Sequence, residues 1–152
     1  MSQIKVIFIC TGNTCRSPMA AAMAAQIFAE AGLMAEVLSA GVNAWANQPA
    51  SRHAITAMKE AGLCLASHKS ALVSPDLLEG ATIVLTMTHN HRAALVSDYP
   101  GVKDCVFTLG EYIGECTDVA DPFGGNLADY RACAAQIKAM LLGVVKRLEG
   151  GE

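Results

Sequence analysis

The most constraining feature of this sequence is an apolar strand that runs directly into a glycine-containing loop and then a helix. Residues 4–9 are mostly β-branched and apolar, which is typical of a strand buried on both faces of a parallel sheet. Residues 17–31 are rich in Ala and Met, and we predict a helix with Ser17 near its start and Pro18 in its first turn. This order is the first part of a β-α-β unit.

The same alternation continues along the chain. It predicts a parallel sheet with right-handed crossovers and helices on both faces, an α/β fold. A chain of 152 residues with 53% hydrophobic content suits one domain over residues 1–152. The further predicted strands are 35–40, 82–87 and 104–108, and the further helices are 50–61, ended by Gly62, then 89–96 and 126–148.

Charge and the chain start exclude several classes of function. A net charge of -3 and a pI near 5.8 leave no basic surface for nucleic acid or an anionic membrane. The apolar run at residues 4–9 is too short for a secretory signal or a membrane span. We therefore expect a soluble protein of the cytoplasm, where thiols stay reduced. No membrane partner and no nucleic-acid partner is expected.

The six cysteines do not indicate a structural site. They form no C-x-x-C pair and no ordered Cys/His cluster, so neither a zinc site nor a disulfide framework is expected. We predict no metal and no cofactor. Cys64, Cys105, Cys116 and Cys133 are interpreted as packing or surface thiols.

The segment 10–16 reads CTGNTCR and lies where ligands bind in parallel sheets, beyond the carboxyl end of a strand. Its five central residues can curl so that their N–H groups surround an oxyanion, next to a helix N-terminus. Arg16 can hold two phosphate oxygens at once. The positive potential of the helix N-terminus and of Arg16 favours a thiolate at Cys10, to which Ser17 can donate a hydrogen bond. The segment predicts a phosphate-binding loop with a nucleophile.

Attack by a thiolate requires an acid that protonates the leaving group and then a base that activates water. One carboxyl group can serve as both. Asp121 is the best candidate, because Pro122 keeps it extended and two glycines follow that let the loop bend over the site. Phe123 would form a wall of the slot, and Asp118 is the rival acid. The alternative is that this string is only a turn before a helix.

With these residues identified, the chain resembles low-molecular-weight protein tyrosine phosphatases almost end to end. Residues 8–18, FICTGNTCRSP, match the signature of that family. The resemblance implies four parallel strands in the order 2-1-3-4, a doubly wound sheet in a single domain. It also implies that Cys10 is the nucleophile, Arg16 the phosphate clamp and Asp121 the acid and base. Three further residues, Asn13, Ser39 and His68, are implied to support the loop. The substrate would contact the loop residues Thr11, Gly12, Asn13, Thr14 and Cys15, together with Ser17.

Thr14 indicates a branch within the family. Tyrosine-specific members usually have a bulky aliphatic residue there, whereas bacterial protein-arginine phosphatases resemble this chain in having threonine. A β-branched aliphatic would crowd the planar, polar guanidino group of phosphoarginine, while a hydroxyl can hydrogen-bond it. We predict a phosphoarginine phosphatase acting on proteins. The alternatives are a phosphotyrosine phosphatase, a thiol-dependent arsenate reductase and a non-catalytic phosphate-binding module.

Several residues have two interpretations. Cys15 could form a disulfide with Cys10 that protects the nucleophile, or it could be an inert small residue. Trp45 could wall the slot beside Phe123, or it could be a packing residue. His89 and His91 point in different directions at helical spacing and are predicted to be surface residues. The expected partners are phosphorylated proteins, and the chain is expected to be a monomer.

Overall fold

Four parallel strands form one sheet in the computed structural model, which describes residues 3–150. The sheet order is β2-β1-β3-β4, which confirms the predicted order 2-1-3-4. The first strand pairs with the second along its full length and with the third over Val6–Ile9, so it lies in the centre. The strands are β1 (Ile4–Cys10), β2 (Ala35–Gly41), β3 (Ile83–Thr86) and β4 (Val106–Thr108).

Four longer helices confirm the predicted ones, each within two residues of the predicted ends. Two single-turn helices were not predicted, because four residues carry no apolar periodicity. A 3-10 turn over Pro100–Cys105 delays the fourth strand to Val106, two residues after its predicted start. The helices are α1 (Arg16–Glu30), α2 (Arg52–Glu60), α3 (Pro75–Leu78), α4 (His89–Asp98), α5 (Leu109–Tyr112) and α6 (Leu127–Glu149).

The core has two parts, one on each face of the sheet. Val6 and Phe8 of β1 pack among residues of α1, α2 and α6 on one face. Ile7 and Ile9 alternate with them and pack on the other face, where Leu95 of α4 lies. Both faces are therefore covered, as predicted, and the carboxyl end of β1 is fixed by packing from both sides.

The strands on either side of β1 in the sheet place the loop after Cys10 at a crevice. The chain leaves β1 for β2 on one side and later returns to β3 on the other, so the strand order reverses beyond Cys10. Such a switch point is where open α/β sheets bind ligands. Within residues 3–150, no helix is both long and apolar enough to cross a membrane.

Candidate active site

The segment 10–16, called the phosphate loop below, lines a pocket of about 220 Å³. Cys10 is the last residue of β1 and Arg16 is the first of α1, so a rigid element holds each end. Asn13 turns the loop with a φ of 58°, a conformation that asparagine tolerates better than most residues. The pocket is lined by Cys10, Thr11, Gly12, Thr14, Cys15, Arg16, Asp121 and Phe123.

The start of α1 differs from the starts of the other helices. In α2 through α6, a Ser, Thr or Asn side chain at the N-cap accepts a hydrogen bond from a first-turn N–H group. The N-cap of α1 is Cys15, which makes no such bond, and the first turn contains no acidic residue. The first N–H groups of α1 are thus left for an anion in the adjacent pocket.

Asn13 holds the phosphate loop from the β2 side. Its side chain is fully buried, and its Nδ2 donates to Ser17 Oγ at 2.8 Å and to Ser39 Oγ at 2.9 Å. Its Oδ1 accepts from the N–H of Ala71 at 2.9 Å. His68 Nε2 lies 2.8 Å from the carbonyl oxygen of Asn13, so that nitrogen must carry the ring proton. The three residues that the resemblance implied as supports of the loop, Asn13, Ser39 and His68, thus lie together.

Ser17 lies within hydrogen-bond distance of the Cys10 sulfur. Its Oγ lies 2.9 Å from Cys10 Sγ, and because the same oxygen accepts from Asn13 Nδ2, its own hydrogen is free to point at the sulfur. A hydroxyl donor at this distance stabilises a thiolate. The side chains of Asn13 and Ser17 are buried, and neither residue belongs to the pocket lining, so the predicted contact of both residues with substrate stays a prediction.

Arg16 is buried beside the pocket, and its guanidinium is held by the segment that contains Val119 and Asp121. Its Nη1 donates to the carbonyl oxygen of Val119 at 2.8 Å, and its Nη2 lies 3.5 Å from Asp121 Oδ2. Val119 is anchored in turn, because its N–H donates to the carbonyl oxygen of Met87 at 2.9 Å. Met87, which directly follows β3, therefore anchors the Arg16 guanidinium through Val119.

Asp121, and not Asp118, lies at the pocket. The carboxyl of Asp121 is 49% exposed near the mouth, and its Oδ1 accepts from the N–H of Phe123 at 3.0 Å. Asp118 instead contacts His89, whose Nδ1 lies 2.7 Å from Asp118 Oδ1. The loop bends back as predicted, with Gly124 at a φ of 82°. The rival acid is therefore disfavoured by its position.

Thr14 and Cys15 also line the pocket. Cys15 Sγ lies 3.4 Å from Tyr130 Oη and 3.7 Å from Ser51 Oγ. Burial, together with the bond to Cys15, raises the pKa of Tyr130 to about 12, so its hydroxyl stays protonated. Both Cys10 and Cys15 are free thiols, and a disulfide between them stays a prediction.

Phe123 and Trp45 are the two aromatic residues predicted to form walls of the slot. Phe123 lines the pocket and is largely exposed. Trp45 is 83% exposed and does not belong to the lining residues, so its contact with substrate stays a prediction. Among the residues that the structure describes, no three His, Cys, Asp or Glu side chains are grouped closely enough to hold a metal ion.

Sequence reasoning missed His91. The prediction that His89 and His91 lie at the surface is correct for His89 and wrong for His91, which is only 6% exposed. His91 Nε2 lies 2.8 Å from Thr11 Oγ1. Burial and the nearby Arg16 cation lower the pKa of His91 to about 4. A usable signal existed, since the carboxyl ends of adjacent parallel strands bring residues after β3 close to those after β1.

Comparison with known sequences gives one family. Residues 5–151 match the family described as low molecular weight phosphotyrosine protein phosphatase. The protein-arginine-phosphatase of Bacillus subtilis strain 168 is 42% identical over 145 residues, which are 95% of this chain and 96% of the relative. The low molecular weight protein-tyrosine-phosphatase PtpB of Staphylococcus haemolyticus is 34% identical over 134 residues, 88% of this chain and 92% of the relative.

Solved structures give the same result. The YwlE arginine phosphatase from Geobacillus stearothermophilus superposes with a TM-score of 0.90 at 39% identity, covering 97% of this chain and 94% of that one. A cysteine-to-serine mutant of the YwlE arginine phosphatase, with a phosphorylated active site serine, has a TM-score of 0.93 at 41% identity and covers 96% of both chains.

Proposed function

The chain belongs to the low molecular weight phosphotyrosine protein phosphatase family, and we propose that it hydrolyses phosphoarginine residues in proteins through a phosphocysteine intermediate. One observation carries the proposal: a cysteine, an arginine and an aspartate line one pocket beside the uncapped start of α1. These are a nucleophile, an anion clamp and a proton donor. In this assignment they are Cys10, Arg16 and Asp121.

In the first step, the phosphoryl group is held by the N–H groups of the phosphate loop and by Arg16. The Cys10 thiolate attacks phosphorus, and the P–N bond breaks as the P–S bond forms. The guanidino nitrogen leaves with the bonding pair and takes a proton from Asp121. The products are phosphocysteine, an unmodified arginine side chain and an Asp121 carboxylate.

In the second step, that carboxylate accepts a proton from a water molecule, whose oxygen attacks phosphorus. The P–S bond breaks, inorganic phosphate is released and Cys10 returns as a thiolate. Ser17, with its Oγ 2.9 Å from the sulfur, stabilises the leaving anion. The phosphorylated serine in a related arginine phosphatase supports covalent transfer to an active-site side chain.

Phosphoarginine as the substrate is supported by Thr14 and by the relatives. Thr14 lines the pocket, where its hydroxyl can hydrogen-bond a polar guanidino group that an aliphatic residue would desolvate. Two relatives named protein-arginine-phosphatase are 42% and 39% identical to the chain. The staphylococcal relatives named protein-tyrosine-phosphatase PtpB are 32–35% identical, while a solved structure from Bacillus subtilis described as a low molecular weight protein tyrosine phosphatase is 41% identical.

Phosphotyrosine is the second candidate substrate. The exposed ring of Phe123 at the pocket offers a face to an aromatic leaving group. It offers the same face to a planar guanidino group, so this residue does not separate the two substrates.

The deciding experiment compares kcat/KM for phosphoarginine and phosphotyrosine peptides of one sequence. We expect the wild type to favour phosphoarginine, Thr14→Val to lose that preference by removing the hydroxyl at constant shape, and Thr14→Ile to shift toward phosphotyrosine. Thr14→Ser, which keeps the hydroxyl, is the control that should retain the preference. An unchanged ratio in both Val and Ile variants would remove Thr14 from the argument, and Cys10→Ser with full activity would refute the mechanism.

The setting of the enzyme belongs to the same proposal. A nucleophilic thiol at Cys10 must stay reduced, which favours the cytoplasm. The substrates are phosphorylated proteins, and the exposed mouth at Asp121 and Phe123 suits a side chain presented on a protein surface. We further propose that the chain acts as a monomer, because the nucleophile, the anion clamp and the proton donor all lie in one chain.

A further inference from the structure

His91 is a buried ionisable residue for which the mechanism above has no use. It lies in the first turn of α4 and reaches the pocket side of the sheet, where Nε2 lies 2.8 Å from Thr11 Oγ1. The other ring nitrogen, Nδ1, is buried and has no hydrogen-bond partner among residues 3–150. The ring is neutral at physiological pH, because burial and Arg16 disfavour the imidazolium.

A neutral ring carries one proton, and the surroundings select its position. If Nδ1 held the proton, a donor would be buried without an acceptor, which is the rarer and costlier arrangement. If Nε2 holds it, the ring donates to Thr11 Oγ1 and only a lone pair stays unpaired. The geometry therefore favours a proton on Nε2, with Thr11 as the acceptor.

This direction of donation decides what Thr11 does. A hydroxyl that accepts from His91 retains its own hydrogen as a donor, and Thr11 lines the pocket directly after the nucleophile. Asn13 fixes the phosphate loop from the β2 side. His91 reaches Thr11, near the start of the same loop, from the element that follows β3.

We propose that His91 is a positioning residue, whose neutral ring donates to Thr11 Oγ1 and so turns the Thr11 hydroxyl into a donor to the bound phosphoryl group. The inference rests on the proposed phosphatase function and deepens it. It adds a side-chain donor to the N–H groups and the guanidinium that hold the anion. His91 itself does not touch the substrate.

The test measures the dissociation constant of inorganic phosphate by calorimetry, which requires neither turnover nor a choice of substrate. Loss of one hydrogen bond to a charged group predicts about 10- to 150-fold weaker binding in Thr11→Val and in His91→Leu. The double variant should bind no more weakly than either single variant, because both remove the same contact. His91→Gln, with an amide donor, should recover most of the affinity.

His89→Leu is the matched control, since His89 is exposed in the same helical turn, and it should bind phosphate like the wild type. Unchanged affinity in His91→Leu, or losses that multiply in the double variant, would overturn the proposal. A wild type that binds no phosphate would instead refute the phosphate site, and with it the proposed function.

A second measurement avoids the risk that His91→Leu does not fold. In ¹⁵N-histidine-labelled wild type at neutral pH, we expect the His91 ring proton on Nε2, with a resonance that shifts on phosphate addition. In Thr11→Val that shift should be lost. A proton found on Nδ1 would overturn the inference.

Discussion

Replacing Asn13 with alanine should damage both the stability and the chemistry of the protein. The side chain makes three buried hydrogen bonds, to Ser17, Ser39 and the N–H of Ala71, each contributing about 1 kcal/mol. Its φ of 58° adds about 1 kcal/mol of backbone strain for alanine. We expect the free energy of unfolding to fall by about 4 kcal/mol, and Tm by roughly 8–16 °C for a chain of this length.

Two variants separate the terms of this sum. Asn13→Gly removes the hydrogen bonds but accepts a positive φ, so it should lose about 3 kcal/mol. Asn47 has a similar φ of 65° and an exposed side chain, so Asn47→Ala should show the backbone term alone, about 1 kcal/mol. Chemical denaturation of the three variants measures each value.

The activity of Asn13→Gly gives a second readout. Without the Asn13 amide, Ser17 Oγ is free to turn from Cys10 Sγ toward the carbonyl oxygen of Ala40, which lies 3.5 Å away. We expect kcat to fall by about tenfold, the equivalent of one hydrogen bond. If Asn13→Ala lost no more stability than Asn47→Ala, the reasoning about the buried side chain would be refuted.

Three further predictions concern the rest of the site. Asp121→Asn should lower kcat for phosphoarginine peptides by about 100- to 10,000-fold with little change in phosphate affinity; near-normal turnover would exclude Asp121 as the acid. Gly41→Ala should abolish activity and lower Tm, because its Cβ would overlap the Thr11 carbonyl oxygen, whereas Gly101→Ala, with open space around it, should do neither. The pKa of His91 is about 4 in the folded protein, against 6.5 for an ordinary histidine in the unfolded chain. On acidification, the unfolded state therefore binds this proton at a higher pH than the folded state does. The free energy of unfolding should therefore fall from pH 6.5 to 4 by on the order of 2 kcal/mol, after allowance for partial solvation. His91→Gln should remove that part of the slope, and an identical slope in both proteins would contradict the assignment.

The sequence by itself determined the order of the elements and the chemistry of the phosphate loop. Both are local: the apolar run of β1 and the helix-forming residues of α1 are periodic patterns, and Cys10 and Arg16 are fixed relative to each other by five residues of chain. Such short-range features are set by backbone geometry and residue type alone. The single-turn helices α3 and α5 carried no such pattern.

Only the tertiary structure decided which distant side chains reach that loop. Asp118 and Asp121 are the same residue type in the same loop. Their positions differ because the anchored loop turns the carboxyl of Asp121 to Arg16 and that of Asp118 to His89. His91 is buried because β3 pairs beside β1, which no local pattern encodes. Contacts of this kind depend on strand order and on packing between elements far apart in the chain, and these exist only once the fold has formed.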